Sequence, residues 1–99
     1  MGMSNVIAVE VASAATDVNI LDKPCTFYGY ALTGAAASNV FFRDDAGTDT
    51  AAKKIGEAQI VSASEGDKAW FGPQGVRCNK GLMIDRDGTN AVKGVVYVG

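Results

Sequence analysis

The stretch Cys25-Thr26-Phe27-Tyr28-Gly29-Tyr30-Ala31 decides the fold class. Cys25, Phe27, Gly29 and Ala31 alternate with Thr26, Tyr28 and Tyr30, and a period of two sends successive side chains to opposite faces of an extended strand. The same period recurs along the chain. Val18 and Ile20 alternate with Asp17 and Asn19, while Val6, Ala8 and Val11 alternate imperfectly with Ile7 and Val9. Further extended pieces are read at residues 40–43, 55–61, 68–71, 82–85 and 92–98, which predicts about eight short strands.

The breaks between these pieces have turn chemistry. Asp22-Lys23-Pro24 removes a backbone donor and fixes φ, so one strand ends there before the next begins. Thr33-Gly34-Ala35-Ala36-Ala37-Ser38 reads as a loose hairpin connection, because three alanines are too few to nucleate a helix. Asp44-Asp45-Ala46-Gly47-Thr48, Ser64-Glu65-Gly66-Asp67 and Arg86-Asp87-Gly88-Thr89 are turns, the last with the Asp-Gly pair that suits a type I′ hairpin. Residues 50–59 are ambiguous, since Ala51, Ala52, Ile55 and Ala58 also fit a helical stripe. Gly56 costs such a helix about 1 kcal/mol and no capping box supports it, so a strand over residues 54–62 is expected.

Ala69-Trp70-Phe71-Gly72-Pro73-Gln74-Gly75-Val76 places two large aromatics against a Gly-Pro-Gly turn. Adjacent aromatics recur at Phe27-Tyr28 and Phe41-Phe42. In strands, each pair sends one ring to each face, and a small domain has one core to receive them. One of Trp70 and Phe71 is therefore expected in the core. The other is a sugar-stacking platform, an anchor in an oligomer interface, or a ring lying over its own sheet. Tyr28, Tyr30, Phe42 and Tyr97 are further candidates for an interface.

Composition narrows the function. The 99 residues make one domain, 1–99, and 12 glycines against 2 prolines favour tight turns between short strands. There is no histidine, which removes Ser-His-Asp, Cys-His and histidine-based zinc chemistry together. Nine Lys and Arg against 11 Asp and Glu give a net charge of −2, and no basic cluster exceeds Lys53-Lys54, so no direct nucleic-acid role is expected. No apolar run approaches the roughly 20 residues that span a bilayer, and the first residues lack a secretory pattern. A soluble, unprocessed chain is expected. Met1-Gly2 invites N-myristoylation, but Val6 stands where that motif wants Ser or Thr. Cys25 and Cys78 have no CxxC partner and read as two buried free thiols, with a disulfide open to them only if their Cα atoms approach within about 7 Å.

The carboxylates offer weaker candidates. Asp44 with Asp45, and Asp85 with Asp87, could form a glycosidase pair only if held about 5 to 9.5 Å apart beneath a groove. Turn carboxylates that cap local backbone donors are the expected reading. Asp85-Arg86-Asp87-Gly88-Thr89-Asn90 spaces oxygen ligands as calcium requires, but Gly88 comes at the fourth position and no bidentate Glu closes the loop. An ordinary turn is expected, with no metal, cofactor or catalytic residue.

Tyr28-Gly29-Tyr30-Ala31-Leu32, then Asn39-Val40-Phe41-Phe42-Arg43-Asp44, Trp70-Phe71-Gly72-Pro73-Gln74-Gly75-Val76 and the closing Gly94-Val95-Val96-Tyr97-Val98-Gly99 resemble small β-rich virion proteins of tailed bacteriophages. The likeness covers roughly the last three quarters of the chain and rests on strand and turn patterns. It implies a structural part of the particle, made in the host cytoplasm, such as a head decoration (cement) protein. The partners implied are copies of itself, as a homo-oligomer and by analogy a trimer, and the major capsid protein. A receptor- or carbohydrate-binding module of a fibre, and a head-tail connector or tail-tube subunit, are the alternatives. The fold expected is all-β, a small antiparallel sandwich, jelly-roll-like or Ig-like.

Overall fold

A computed structural model describes residues 6–99; the acylation reading of Met1-Gly2 lies outside them. Those residues form nine strands and no helix: β1 (Ile7–Ala14), β2 (Val18–Leu21), β3 (Cys25–Gly34), β4 (Ser38–Asp44), β5 (Lys53–Ile60), β6 (Asp67–Trp70), β7 (Val76–Cys78), β8 (Leu82–Asp85) and β9 (Val92–Val98). The first sheet has the order β1-β9-β3-β6 with β7 also on β3, and the second the order β2-β8-β4-β5. Every pairing is antiparallel.

β6 and β7 share one edge of β3. Leu32 faces Asp67 and Gly29 faces Trp70, and further along Phe27 faces Val76 and Cys25 faces Cys78. They are thus one edge strand from which residues 71–75 swing out opposite Tyr28. The ninth strand, β7, is too short for an alternation signal and was not expected. Counted as one edge, the chain is a long antiparallel ribbon that pairs β1 with β9, β2 with β8, β3 with β6 and β7, and β4 with β5. The ribbon is rolled so that β9 also meets β3 and β8 also meets β4. This winding makes the sandwich a jelly roll.

Two connections expected as hairpins are arches between sheets. The residues after Gly34 lead from the first sheet to the second, and those after Asp85 lead back. Asp87-Gly88 therefore makes no two-residue hairpin; Gly88 instead donates its N–H to the carbonyl of Ala15 (2.8 Å). The ambiguous 50–59 stretch is a turn at residues 50–52 followed by the strand β5, in which Gly56 lies against the rings of Phe42 and Phe27.

A register shift between Phe27 and Gly29, where β3 pairs β9, sets which aromatics are buried. Tyr28 is the extra residue of this bulge, and past it the parity of β3 inverts. Phe27 points inward before it; Tyr30 and Leu32, not Gly29 and Ala31, point inward after it. Phe27, Tyr30 and Phe42 then meet at the centre, with Phe42 at 4.7 Å from Phe27 and 4.9 Å from Tyr30 between ring centroids. Leu32, Val40, Ile60, Leu82, Ile84, Val96 and Val98 complete the core around them.

Polar side chains close the sandwich where backbone groups would be orphaned. On one flank the Tyr30 hydroxyl donates to Asp67 Oδ2 (2.9 Å), which also accepts from the N–H of Gln59 (2.9 Å), linking the first sheet to β5. At one end the buried Arg86 guanidinium donates to the carbonyls of Ala12 (2.9 Å), Val92 (2.8 Å) and Thr16. At the other end Asp44 accepts the N–H groups of Asn79 (3.0 Å), Lys80 (2.8 Å) and Gly81 (3.3 Å) and so shapes the turn from β7 to β8.

Candidate functional site

Trp70 ends β6 on the outer face of the first sheet, where its ring stacks on Tyr28 with centroids 5.8 Å apart and planes 20° from parallel. Trp70 remains 58% exposed, whereas Tyr28 is only 3% exposed. The stack thus holds a large ring in one orientation while leaving most of it in water. Tyr97, half-buried, faces Gly29 in the adjacent strand. Trp70 and Tyr97, together with Tyr30, Ala31, Lys68 and Ala69, line a shallow depression of about 410 Å³.

The next residue turns the other way. Phe71 donates its N–H to the carbonyl of Tyr28 (2.8 Å), and its ring meets Phe27 edge-on at 5.0 Å. The expectation that one of the pair enters the core is corrected here, because Phe71 is still 36% exposed. β6 has ended, so Phe71 caps the rim of the aromatic core from the departing loop. Residues 72–75 then form a turn closed by Gly75 N–H to the carbonyl of Gly72 (3.2 Å), with Pro73 at the position where its fixed φ fits. Gly75 has φ +64°, and a Cβ on it would lie 2.9 Å from the carbonyl oxygen of Phe27 and 3.0 Å from the Tyr28 ring. Only glycine lets the loop come back this closely onto β3.

Two other interface candidates are corrected outright. Phe42 is wholly buried and Tyr30 is 4% exposed, because the alternation of β4 and the inverted parity of β3 aim both rings between the sheets. Tyr28 does point outward, but Trp70 and the 71–75 loop cover it. The outer ring of the remaining pair, Phe41, is half-buried and flanked by cations, with Lys54 Nζ 4.9 Å and the Arg43 guanidinium 5.5 Å from its centroid. Burial inside one small sandwich therefore accommodates more of the aromatics than expected. Of the six named residues, Trp70, Phe71 and Tyr97 still offer surface. Sequence reasoning passed over Ile7 (57% exposed) and Val61 (60% exposed) as apolar surface; isolated aliphatics at strand ends carry no signal that distinguishes them from core.

The carboxylates are committed locally. Asp45 accepts from the N–H groups of Gly47 (3.0 Å) and Asp49 (3.0 Å), and these bonds hold its carboxyl below the ordinary range. Asp87 does the same with Asn90 (2.9 Å) and Thr89 (2.8 Å). Burial works to raise Asp44, but the three backbone donors around it win and lower it. Asp85 is paired with Arg43 Nε at 2.9 Å. Each carboxylate of the two candidate pairs is thus held by its own partners, Asp44, Asp45 and Asp87 at turns and Asp85 by Arg43 of the neighbouring strand.

Compared with known protein families, curated proteins and solved structures, the chain matches none.

Proposed function

We propose that this protein is a non-enzymatic structural component of a phage particle, a decoration protein that adheres to the assembled head through the outer face of its first sheet. The observation that carries this reading is Trp70, fixed on Tyr28 and left mostly in water. A rigid exposed Trp loses little entropy on contact and is the commonest kind of interface anchor. The resemblance to phage virion proteins supplies the partners, namely further copies of this chain and the major capsid protein. The jelly roll is an architecture used by capsid and lectin domains, which is an analogy of fold only.

A decoration protein binds the assembled shell and not its separated subunits, so its binding free energy adds to particle stability by linkage. Particles lacking it should release their DNA at lower temperature and under osmotic shock, yet adsorb to cells at the normal rate. Depleted particles that are as heat-stable as complete ones but fail to adsorb would overturn the proposal. They would favour the second reading, a carbohydrate-binding module, for which the flat exposed face of Trp70 is also the supporting observation.

A further inference from the structure

We propose that Cys25 and Cys78 are a reversible disulfide site, oxidised by a small disulfide such as oxidised glutathione, whose closure locks the edge that carries Trp70. The two residues are direct partners in the β3–β7 ladder. Both are free thiols, and both are buried in the core. Paired residues of antiparallel strands have Cα atoms about 4.5 to 5.5 Å apart. That lies within the roughly 4.4 to 6.8 Å that disulfides span, so the bond needs side-chain rotation and no rearrangement of the sheet.

The exchange is balanced. The thiolate of one cysteine attacks a sulfur of glutathione disulfide and expels one glutathione thiolate, leaving a mixed disulfide. The second cysteine's thiolate attacks the protein sulfur of that intermediate, the Cys25–Cys78 bond forms, and the second glutathione leaves. Two protein thiols are oxidised, one glutathione disulfide is reduced to two thiols, and the two protein protons end on glutathione.

The fold makes this reaction slow. Burial pushes both thiols up, Cys78 to about 12, and a buried, protonated thiol is a poor nucleophile. Attack therefore needs the site to open. β7 is the element suited to that, since it is an edge strand of three residues that pairs only with β3 and follows the excursion at residues 71–75. Once formed, the bond ties β7 to β3 and removes this opening. The turn at Gly75 and the Phe71 cap are then held at both ends, independently of what Trp70 binds.

The test uses the whole chain. The protein is fully reduced, freed of reductant and incubated natively with oxidised glutathione, then followed by intact mass, non-reducing electrophoresis and thermal melting. The expected product is a monomer lighter by two hydrogens, without a glutathione adduct, melting about 4 °C or more above the reduced form. A phosphine reductant should reverse both changes. Cys78→Ser, which keeps Cys25, should show no such rise. Retention of both thiols in the native protein, a persistent glutathione adduct, a covalent dimer, or an oxidised form no more stable than the reduced one would each overturn the proposal. The wild-type mass and melting curves decide the matter even if the variant folds poorly.

Discussion

Replacing Trp70 by Ala should separate assembly from folding. A Trp side chain carries up to about 250 Å², and with 58% of Trp70 in water roughly 100 Å² is withdrawn on folding. At about 25 cal/mol per Å² that burial contributes some 2.5 kcal/mol as an upper bound, because real unfolded chains are already partly compact. The residual Cβ of Ala keeps part of the contact, and the loss of the Tyr28 stack adds about 1 kcal/mol. A net cost near 2 kcal/mol is expected. Phe42→Ala, by contrast, empties a wholly buried site between Phe27 and Tyr30 and should cost about 3 to 5 kcal/mol. Urea titrations followed by far-ultraviolet circular dichroism give both values without relying on fluorescence, since Trp70 is the chain's single tryptophan. Sedimentation and co-sedimentation with particles then give assembly. The expected pattern is a folded Trp70→Ala protein with weakened self-association or capsid attachment. If Trp70→Ala destabilises as much as Phe42→Ala, or if assembly is unchanged, the reading of Trp70 as an anchor fails.

Gly75→Ala should cost about 2 kcal/mol or more, from its positive φ and the approach to the Phe27 carbonyl, and hydrogen exchange should quicken at the Phe71 amide. Arg86→Met leaves the carbonyls of Ala12, Thr16 and Val92 without their donor, and a loss of about 3 kcal/mol is expected in the same urea assay; an unchanged midpoint would show that the clasp is dispensable. The Asp44 carboxyl is depressed in the folded state, so its contribution is present above the unfolded value of about 3.9 and is lost as pH falls through the lower folded value. The acid side of the stability profile should therefore be shallower in Asp44→Asn, though not flat, because Asp45 and Asp87 are depressed in the same direction.

The sandwich was legible because alternation survives where a strand has a wet face, as in β4 and β9. What escaped was whatever depends on pairing across distant sequence. Nothing local in Phe27-Tyr28-Gly29-Tyr30 announces that Tyr28 is an extra residue opposite β9, yet this inversion decides that Tyr30 is core. β7 is likewise invisible alone, since Val-Arg-Cys becomes a strand only because the edge of β3 is free beyond Gly29. The arches failed for the opposite reason. Asp87-Gly88 has hairpin chemistry, but which sheet receives the next strand is set by the rolling of the whole ribbon. Met83 makes the same point on a small scale. It lies between Asn19 and Arg43 across the second sheet and is fully buried although it faces away from the core. Asn19, donating to the carbonyls of Asp45 and Gly47, and Arg43, donating to that of Ala52, hold the β4–β5 loop against that face.

The surroundings of Trp70 favour a protein surface over a sugar. A glycan on an aromatic ring is fixed by hydrogen bonds from groups beside it, because stacking alone discriminates little between rings. Beside Trp70 the depression offers Lys68 and the Tyr97 side chain as polar groups and Ala31 as an apolar one, while Tyr30 and Ala69, also at its lining, turn their side chains toward the core. Asp67, the carboxylate on the same strand as Trp70, is already engaged by the Tyr30 hydroxyl and the Gln59 N–H. The small Ala31 on the same face instead allows a close apolar approach beside the Trp70 ring, with Lys68 left to the polar rim. On the proposed reading, a jelly roll whose core is sealed by its own Tyr30 and Phe42 would meet its partner through Trp70, the most exposed of its aromatic rings.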